Sequence, residues 1–257
     1  MSFNLSGEEE GLVGYWRMDD AYGNLAEDRT RDNHATLHGV SWEVNRYSSG
    51  YGGGKALSLA NNGHIRIPDS TELTLNNLTL EAWIRIDAAA DRTVFMKGEY
   101  GYGLSIDSSN KLRFWSTGDR TISDAVVSDM SISLGNWHHI AGVYIPSTSM
   151  KLYLDGVEVS SRTISVPASQ SNVGSNPWSI GKRSAHATYM DGKIDEVSIF
   201  SSALNIGDLW DGSTKPTDLT SLSPLGWWRN GDNNGGTGLL EVLSTRWDDA
   251  ADNTLED

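Results

Sequence analysis

The sequence predicts an all-β protein built as two packed antiparallel sheets, and three observations predict it. Between residues 78 and 86 the chain alternates, with Leu78, Leu80, Ala82, Ile84 and Ile86 on one face and Thr79, Glu81, Trp83 and Arg85 on the other. A period of two is that of a half-buried strand. Met150-Lys-Leu-Tyr-Leu runs into Asp155-Gly156 and continues as Val-Glu-Val, and Asp-Gly tolerates the positive φ of a type I′ hairpin turn. Elsewhere short apolar runs are broken by Gly, Asn, Asp and Ser, with no long amphipathic helical stretch, which suits strands joined by tight turns.

In chain order, further strands are expected at 13–18, 56–59, 64–67, 94–97, 103–107, 112–115, 178–181 and 194–200. Residues 137–145 are apolar on both faces, as a central strand would be. Only 203–210 reads as a short helix. After Trp210 the turn-rich run Asp211-Gly-Ser-Thr-Lys-Pro216 marks a boundary, giving a sandwich domain over 1–210 and an acidic, irregular Gly/Asn/Asp-rich extension over 211–257. That extension contains a partial repeat. Gly14-Tyr-Trp-Arg-Met-Asp-Asp returns as Gly226-Trp-Trp-Arg-Asn-Gly-Asp, and the spacing of Asp28, Asp32 and Asn33 returns as Asp248, Asp252 and Asn253. A lone copy of a first strand must pair somewhere, on this domain's own sheet or on a neighbour's, so Trp227, Trp228 and Arg229 are assigned to assembly.

The 257 residues are enough for one full core. A net charge of −14 repels phosphate backbones and favours cations or plain solubility, so nucleic acid is not an expected partner. Cysteine is absent, which removes disulfides, thiol nucleophiles and thiolate metal sites. No apolar run is long enough to insert in a membrane, and Met1-Ser-Phe-Asn-Leu-Ser-Gly-Glu lacks the basic and apolar regions of an export signal, so Sec secretion of the chain as written is not expected.

Catalytic patterns are scarce. Asp195 and Glu196 are adjacent, so a regular strand sends them to opposite faces rather than across one glycosidic bond. His138 and His139 diverge for the same reason. Gly50-Tyr-Gly-Gly-Gly-Lys55 fails as a phosphate loop, because Ser49 stands at the first glycine and Ala56 at the hydroxyl position. Asp28, Asp32 and Asn33 lie on one predicted loop. Two readings compete there: oxygen donors for a structural Ca2+, and Asx turns that cap their own backbone. Tyr100, Tyr102, Trp115, Trp178, His186 and Tyr189 stand near loop ends as glycan-stacking candidates. Aromatics also build sandwich cores, and that reading competes at each position.

An ordered series of segments carries a resemblance: Gly11-Leu-Val-Gly-Tyr-Trp-Arg-Met-Asp, Gly54-Lys-Ala-Leu-Ser-Leu, Ile65-Arg-Ile-Pro-Asp-Ser, Leu78-Thr-Leu-Glu-Ala-Trp-Ile, Trp137-His-His-Ile-Ala-Gly-Val-Tyr, Leu152-Tyr-Leu-Asp-Gly and Gly192-Lys-Ile-Asp-Glu-Val-Ser-Ile-Phe. Together they resemble the laminin-G-like, concanavalin A-like family across about 11–210. The resemblance implies a jelly-roll sandwich used for glycan binding, adhesion or assembly. It also implies that the first loop and the acidic pair of the Ile-Asp-Glu-Val strand hold a cation, here Asp28, Asn33, Asp195 and Glu196, although Arg29 and Arg31 stand where small residues are usual.

The connector Lys215-Pro-Thr-Asp-Leu-Thr-Ser-Leu-Ser-Pro-Leu-Gly-Trp-Trp-Arg resembles segments of marine bacteriophage structural proteins. The leading expectation is therefore a non-enzymatic virion protein, a capsid decoration or tail appendage, partnered by other virion proteins or by itself as a homo-oligomer. The alternative is a carbohydrate-binding or adhesion module of an extracellular protein.

Overall fold

A computed structural model describes residues 14–16, 25–26, 34–44, 55–69, 75–98, 101–117, 125–170, 177–183, 188–212, 219, 222 and 225–228. Among these residues the first sheet has nine strands: β1 (Gly14–Trp16), β4 (Ser41–Val44), β5 (Lys55–Ser58), β7 (Leu78–Arg85), β12 (Trp137–Ile145), β13 (Ser149–Leu154), β14 (Val157–Arg162), β16 (Lys193–Phe200) and β17 (Gly226–Trp228). The second has eight: β2 (Leu25–Ala26), β3 (Ala35–His38), β6 (His64–Ile67), β8 (Arg92–Lys97), β9 (Tyr102–Ile106), β10 (Lys111–Ser116), β11 (Val126–Ser131) and β15 (Trp178–Ile180). One turn of helix, α1 (Ile206–Leu209), is the only helix among the described residues.

Alternation along the strands explains the sandwich. Leu80, Ile84, Ile140, Tyr144 and Leu152 of the first sheet meet Ile65, Leu104, Leu112, Phe114 and Trp178 of the second in one buried core. Each such side chain contributes roughly 1.5–3 kcal/mol of transfer free energy. The Asp155-Gly156 hairpin forms as its sequence dictates, with φ of +47° and +75°, and β13 pairs antiparallel with β14 across it.

Two sheet features go beyond the alternation. The outer face of β7 was expected to be solvated, yet Thr79, Glu81 and Trp83 are buried. The chain after β16 folds back over this face. Leu209 and Leu219 pack on Ala141, Val143, Tyr153 and Phe200, and Thr79 Oγ1 donates to Ser202 O at 2.7 Å while accepting the Leu204 N–H at 3.0 Å. The second feature is the partial repeat. β17 lies antiparallel beside β16 and parallel beside β1, in the register Gly14–Gly226, Tyr15–Trp227 and Trp16–Trp228. The two copies of one sequence thus lie side by side, residue for residue.

Candidate functional site

The strongest constellation of exposed polar and aromatic groups lies on the outer face of the second sheet. In β3 and β6, Ala35, Leu37, Ile65 and Ile67 point into the core, so the period of two sends Thr36, His38, His64 and Arg66 outward. Antiparallel pairing sets His38 opposite His64 and Thr36 opposite Arg66. The two imidazoles stack, with centroids 4.4 Å apart and planes inclined by 12°. Close backbone approach makes the stack possible: Gly39 has φ +59°, and a Cβ on Gly63 would sit 2.8 Å from Gly39 O.

Tyr189 joins this pair, its ring 6.0 Å from that of His64, and Lys182 Nζ stands 5.6 Å from the Tyr189 ring centre. A short bridged segment holds both residues. Lys182 pairs antiparallel with Tyr189, Met190 N–H donates to Gly181 O at 2.8 Å, and Arg183 N–H donates to Thr188 O at 2.9 Å. The buried Arg92 guanidinium anchors the segment from below, donating to Met190 O, to Asp191 O at 2.6 Å and to Ala88 O at 2.9 Å. Backbone hydrogen bonds on either side of Tyr189 thus hold its segment in place beside His64.

Electrostatics distinguish this patch within a chain of net charge −14. Burial holds the His64 imidazole below its usual range, and the neighbouring His38, Lys182 and Arg66 add to that effect, against a backbone hydrogen bond from His64 Nδ1 to Asn62 O at 3.0 Å that favours protonation. A neutral imidazole flanked by a guanidinium, an ammonium and a phenol offers flat apolar faces beside hydrogen-bond donors. That is the combination a sugar ring needs, because its C–H face stacks and its hydroxyls accept.

The other candidates fall in different places. Trp178 is fully buried, edge-on to Phe95 at 5.0 Å and to Tyr102 at 5.7 Å. It fills the core, because its strand position faces the opposite sheet, and Tyr102 is buried with it. Neither ring is a platform for a ligand. Trp115 points to the same outer face as Arg66, along one row of opposed residues, Thr36, Arg66, Ser179, Met96, Gly103 and Trp115. It is nonetheless buried over Gly103, and its indole Nε1 has no hydrogen-bond partner. Tyr189 alone among the described stacking candidates is partly open. Tyr100, His186, Asp28, Asp32, Asn33 and Arg229 lie outside the described residues, and Trp227 and Trp228 are described by their backbone pairing. His38, His64 and Lys182 were not singled out from sequence, although the alternation of His64-Ile-Arg-Ile marks two of the outward positions on that face.

Asp195 and Glu196 do not stand in a regular strand. A bulge separates Asp195 from Ser198, Glu196 has φ +47°, and its N–H donates to Asp195 Oδ1 at 2.8 Å. The bulge falls where the neighbour of β16 changes from β5, opposite Lys193 and Ile194, to β17, opposite Val197 to Ile199. Both carboxylates are buried. Two carboxylates supply at most four oxygens, against the six to eight that Ca2+ takes, so a calcium site at this bulge needs donors beyond it. Among the described residues no group of three or more His, Asp or Glu side chains could hold a metal ion.

His139 and His138 do diverge. His139 is buried on the outer face of the first sheet, where Glu81 accepts from His139 Nε2 at 2.7 Å and from Ser198 Oγ at 2.7 Å. With the carboxylate between serine and imidazole, the imidazole cannot take the serine proton, so this is not a nucleophilic triad. His138 Nδ1 instead meets Asp155 Oδ2 at 2.7 Å, and Asp155 Oδ1 accepts the His139 N–H at 2.9 Å.

A family model described as the concanavalin A-like lectin/glucanases superfamily, of laminin-G type, matches residues 59–208. No curated protein matches the chain. Among solved structures, a candidate carbohydrate binding protein from Bacteroides ovatus is similar at 17% identity and a TM-score of 0.53, over 67% of this chain and 50% of that one. The binding domain of Paraclostridial Mosquitocidal Protein 1 is similar at 15% identity and a TM-score of 0.56, over 77% of this chain and 50% of that one. Domain 4 of AbnA, an extracellular arabinanase from Geobacillus stearothermophilus, in complex with arabinotriose, is similar at 19% identity and a TM-score of 0.54, over 76% of this chain and 95% of that one. The chain thus spans half the length of the first two, and likeness at such identities speaks for the fold.

Proposed function

Because the chain belongs to the concanavalin A-like lectin/glucanases superfamily, we propose that it is a non-enzymatic module that takes a carbohydrate on the outer face of its second sheet. One observation carries the reading: the stacked His38–His64 pair, flanked by Arg66, beside Tyr189 and Lys182 on the segment that the buried Arg92 holds. The solved relatives named for carbohydrate binding or holding an arabinotriose support it. Tyr189 and His64 supply stacking faces, and Arg66 and Lys182 donate to hydroxyl or carboxylate oxygens. Glycan-array screening followed by calorimetry tests the proposal. His64→Ala and Tyr189→Ala should each weaken the bound glycan about tenfold, the loss of roughly 1–2 kcal/mol of aromatic contact, with unchanged circular dichroism. Binding untouched by both substitutions overturns it.

A second reading, a bacteriophage virion protein decorating the capsid or tail, rests on the phage-like connector after residue 211 and on the repeated strand. Immunogold labelling of purified particles by an antibody to this chain is the expected outcome, and unlabelled particles would remove it. For the cation, we propose that one Ca2+ joins Asp28, Asp32 and Asn33 to Asp195 and Glu196. The bulge of β16, at which both carboxylates are buried, supports it.

A further inference from the structure

We propose that the strand position beside Val197–Ile199 is one seat for which both copies of the repeated strand are fitted, and that the chain self-associates by exchanging the tail copy with a second copy of itself. Three observations carry this. First, the copies match in type, Gly-Tyr-Trp-Arg from Gly14 and Gly-Trp-Trp-Arg from Gly226. Second, β1 is parallel to β17 while β17 is antiparallel to β16, so β1 already has the polarity that the seat requires. Third, the register agrees: Gly226 faces Ile199 and Gly14 faces Gly226, and the same holds for Trp227 with Ser198 and Tyr15, and for Trp228 with Val197 and Trp16. A sideways step of one strand spacing, roughly 4.8 Å, puts Gly14 opposite Ile199 with no rotation or slip.

The exchange keeps the contacts of the fold. When β1 takes the seat, the first sheet remains closed on β16, and the tail leaves with Leu219 and Leu225. In the parent chain Leu219 is buried on Ala141, Val143 and Tyr153, Leu225 is in the core, and Leu225 N–H donates to Ile199 O at 2.7 Å. In a second copy whose seat is held neither by its own tail nor by its own β1, the same residues meet the same surfaces, which is the condition under which swapping a segment costs little. The turn before it is suited to act as the hinge: Gly212 has φ +88°, and among the described residues, its chain neighbours aside, no heavy atom lies within 4 Å of where its Cβ would be.

The chain lacks cysteine, so introduced pairs report the seat without interference. In the full chain, Ile199→Cys with Gly226→Cys reports the tail copy in the seat, and its closure also shows that the substitution at Ile199 is tolerated. Ile199→Cys with Gly14→Cys reports the first copy. In the closed arrangement those two Cα atoms are two spacings apart, roughly 9.6 Å, beyond the roughly 7 Å that a disulfide bridges. Under reversible oxidation the proposal expects both pairs to close within single chains, the second to near completion as each closure traps the exchanged form. A mixture of the single variants Ile199→Cys and Gly226→Cys should give a disulfide-linked dimer whose yield rises with concentration. Absence of the 14–199 bond while 199–226 forms overturns the shared seat, and absence of the mixed dimer overturns exchange between copies. Should Ile199→Cys prevent folding, amide hydrogen exchange of the unaltered chain decides. Residues 14–16 and 226–228 must exchange at one common rate, faster than β7 and β12, and protection of 226–228 equal to that of β7 overturns the proposal.

Discussion

At the scale of single residues, the informative group is Glu81. The alternation of Leu78 to Ile86 assigned it to the outer face of its strand, and that is where it lies. Its burial could not be read locally, because the cover comes from residues more than a hundred positions later, Leu209 and Leu219 among them. Once covered, the carboxylate needs partners, and it takes Ser198 from one neighbouring strand and His139 from the other, each at 2.7 Å. Removing one member of a buried charged group strands the rest, which costs about 3–5 kcal/mol, whereas replacing a whole set by apolar groups costs far less. Glu81→Ala is therefore expected to lower the unfolding free energy by about 3–5 kcal/mol in urea titration, while Glu81→Leu combined with His139→Leu and Ser198→Ala recovers most of it. Equal losses in the single and triple variants would show that packing, not polar pairing, governs the site.

At the scale of elements, legibility followed length and burial. The bounds expected at 64–67 and 137–145 coincide with β6 and β12, because turn residues Asn61-Asn62-Gly63 and Pro68 set off His64-Ile-Arg-Ile, and Trp137 to Ile145 is a long run apolar on both faces. β2 has only two residues, too few for a period to register. β11 has only Val126 and Ser128 buried, so most of its residues carry no apolar pattern. The regular strand expected through Asp195 and Glu196 is interrupted for a reason of topology. β16 must pair with β5 over its first residues and with β17 over its later ones, and the bulge absorbs the change of neighbour. The stacked pair at His38 and His64 was hidden likewise. It depends on which strand lies beside which, while the outward direction of His64 and Arg66 was already in the alternation.

At the scale of the whole molecule, charge and topology make one question experimentally separable. A net charge of −14 opposes compaction by self-repulsion, and any salt relieves part of that repulsion, since at 0.1 M the screening length falls to about 10 Å. A rise in melting temperature on adding calcium chloride is therefore no evidence of a calcium site unless screening is subtracted. The proposed ion would join Asp28, Asp32 and Asn33 to Asp195 and Glu196 in β16. It would stabilise the folded form by mass action, about 2.7 kcal/mol at a hundred times its dissociation constant. Sodium chloride and calcium chloride compared at equal ionic strength separate the two effects. The expected result is a modest rise in sodium chloride and a further, saturable rise in calcium chloride. EDTA should abolish the further rise, and Asp195→Asn should remove it while leaving the sodium chloride response intact. Identical melting curves in the two salts would leave screening as the whole effect, and the carboxylates of the bulge would then be held by protein partners alone.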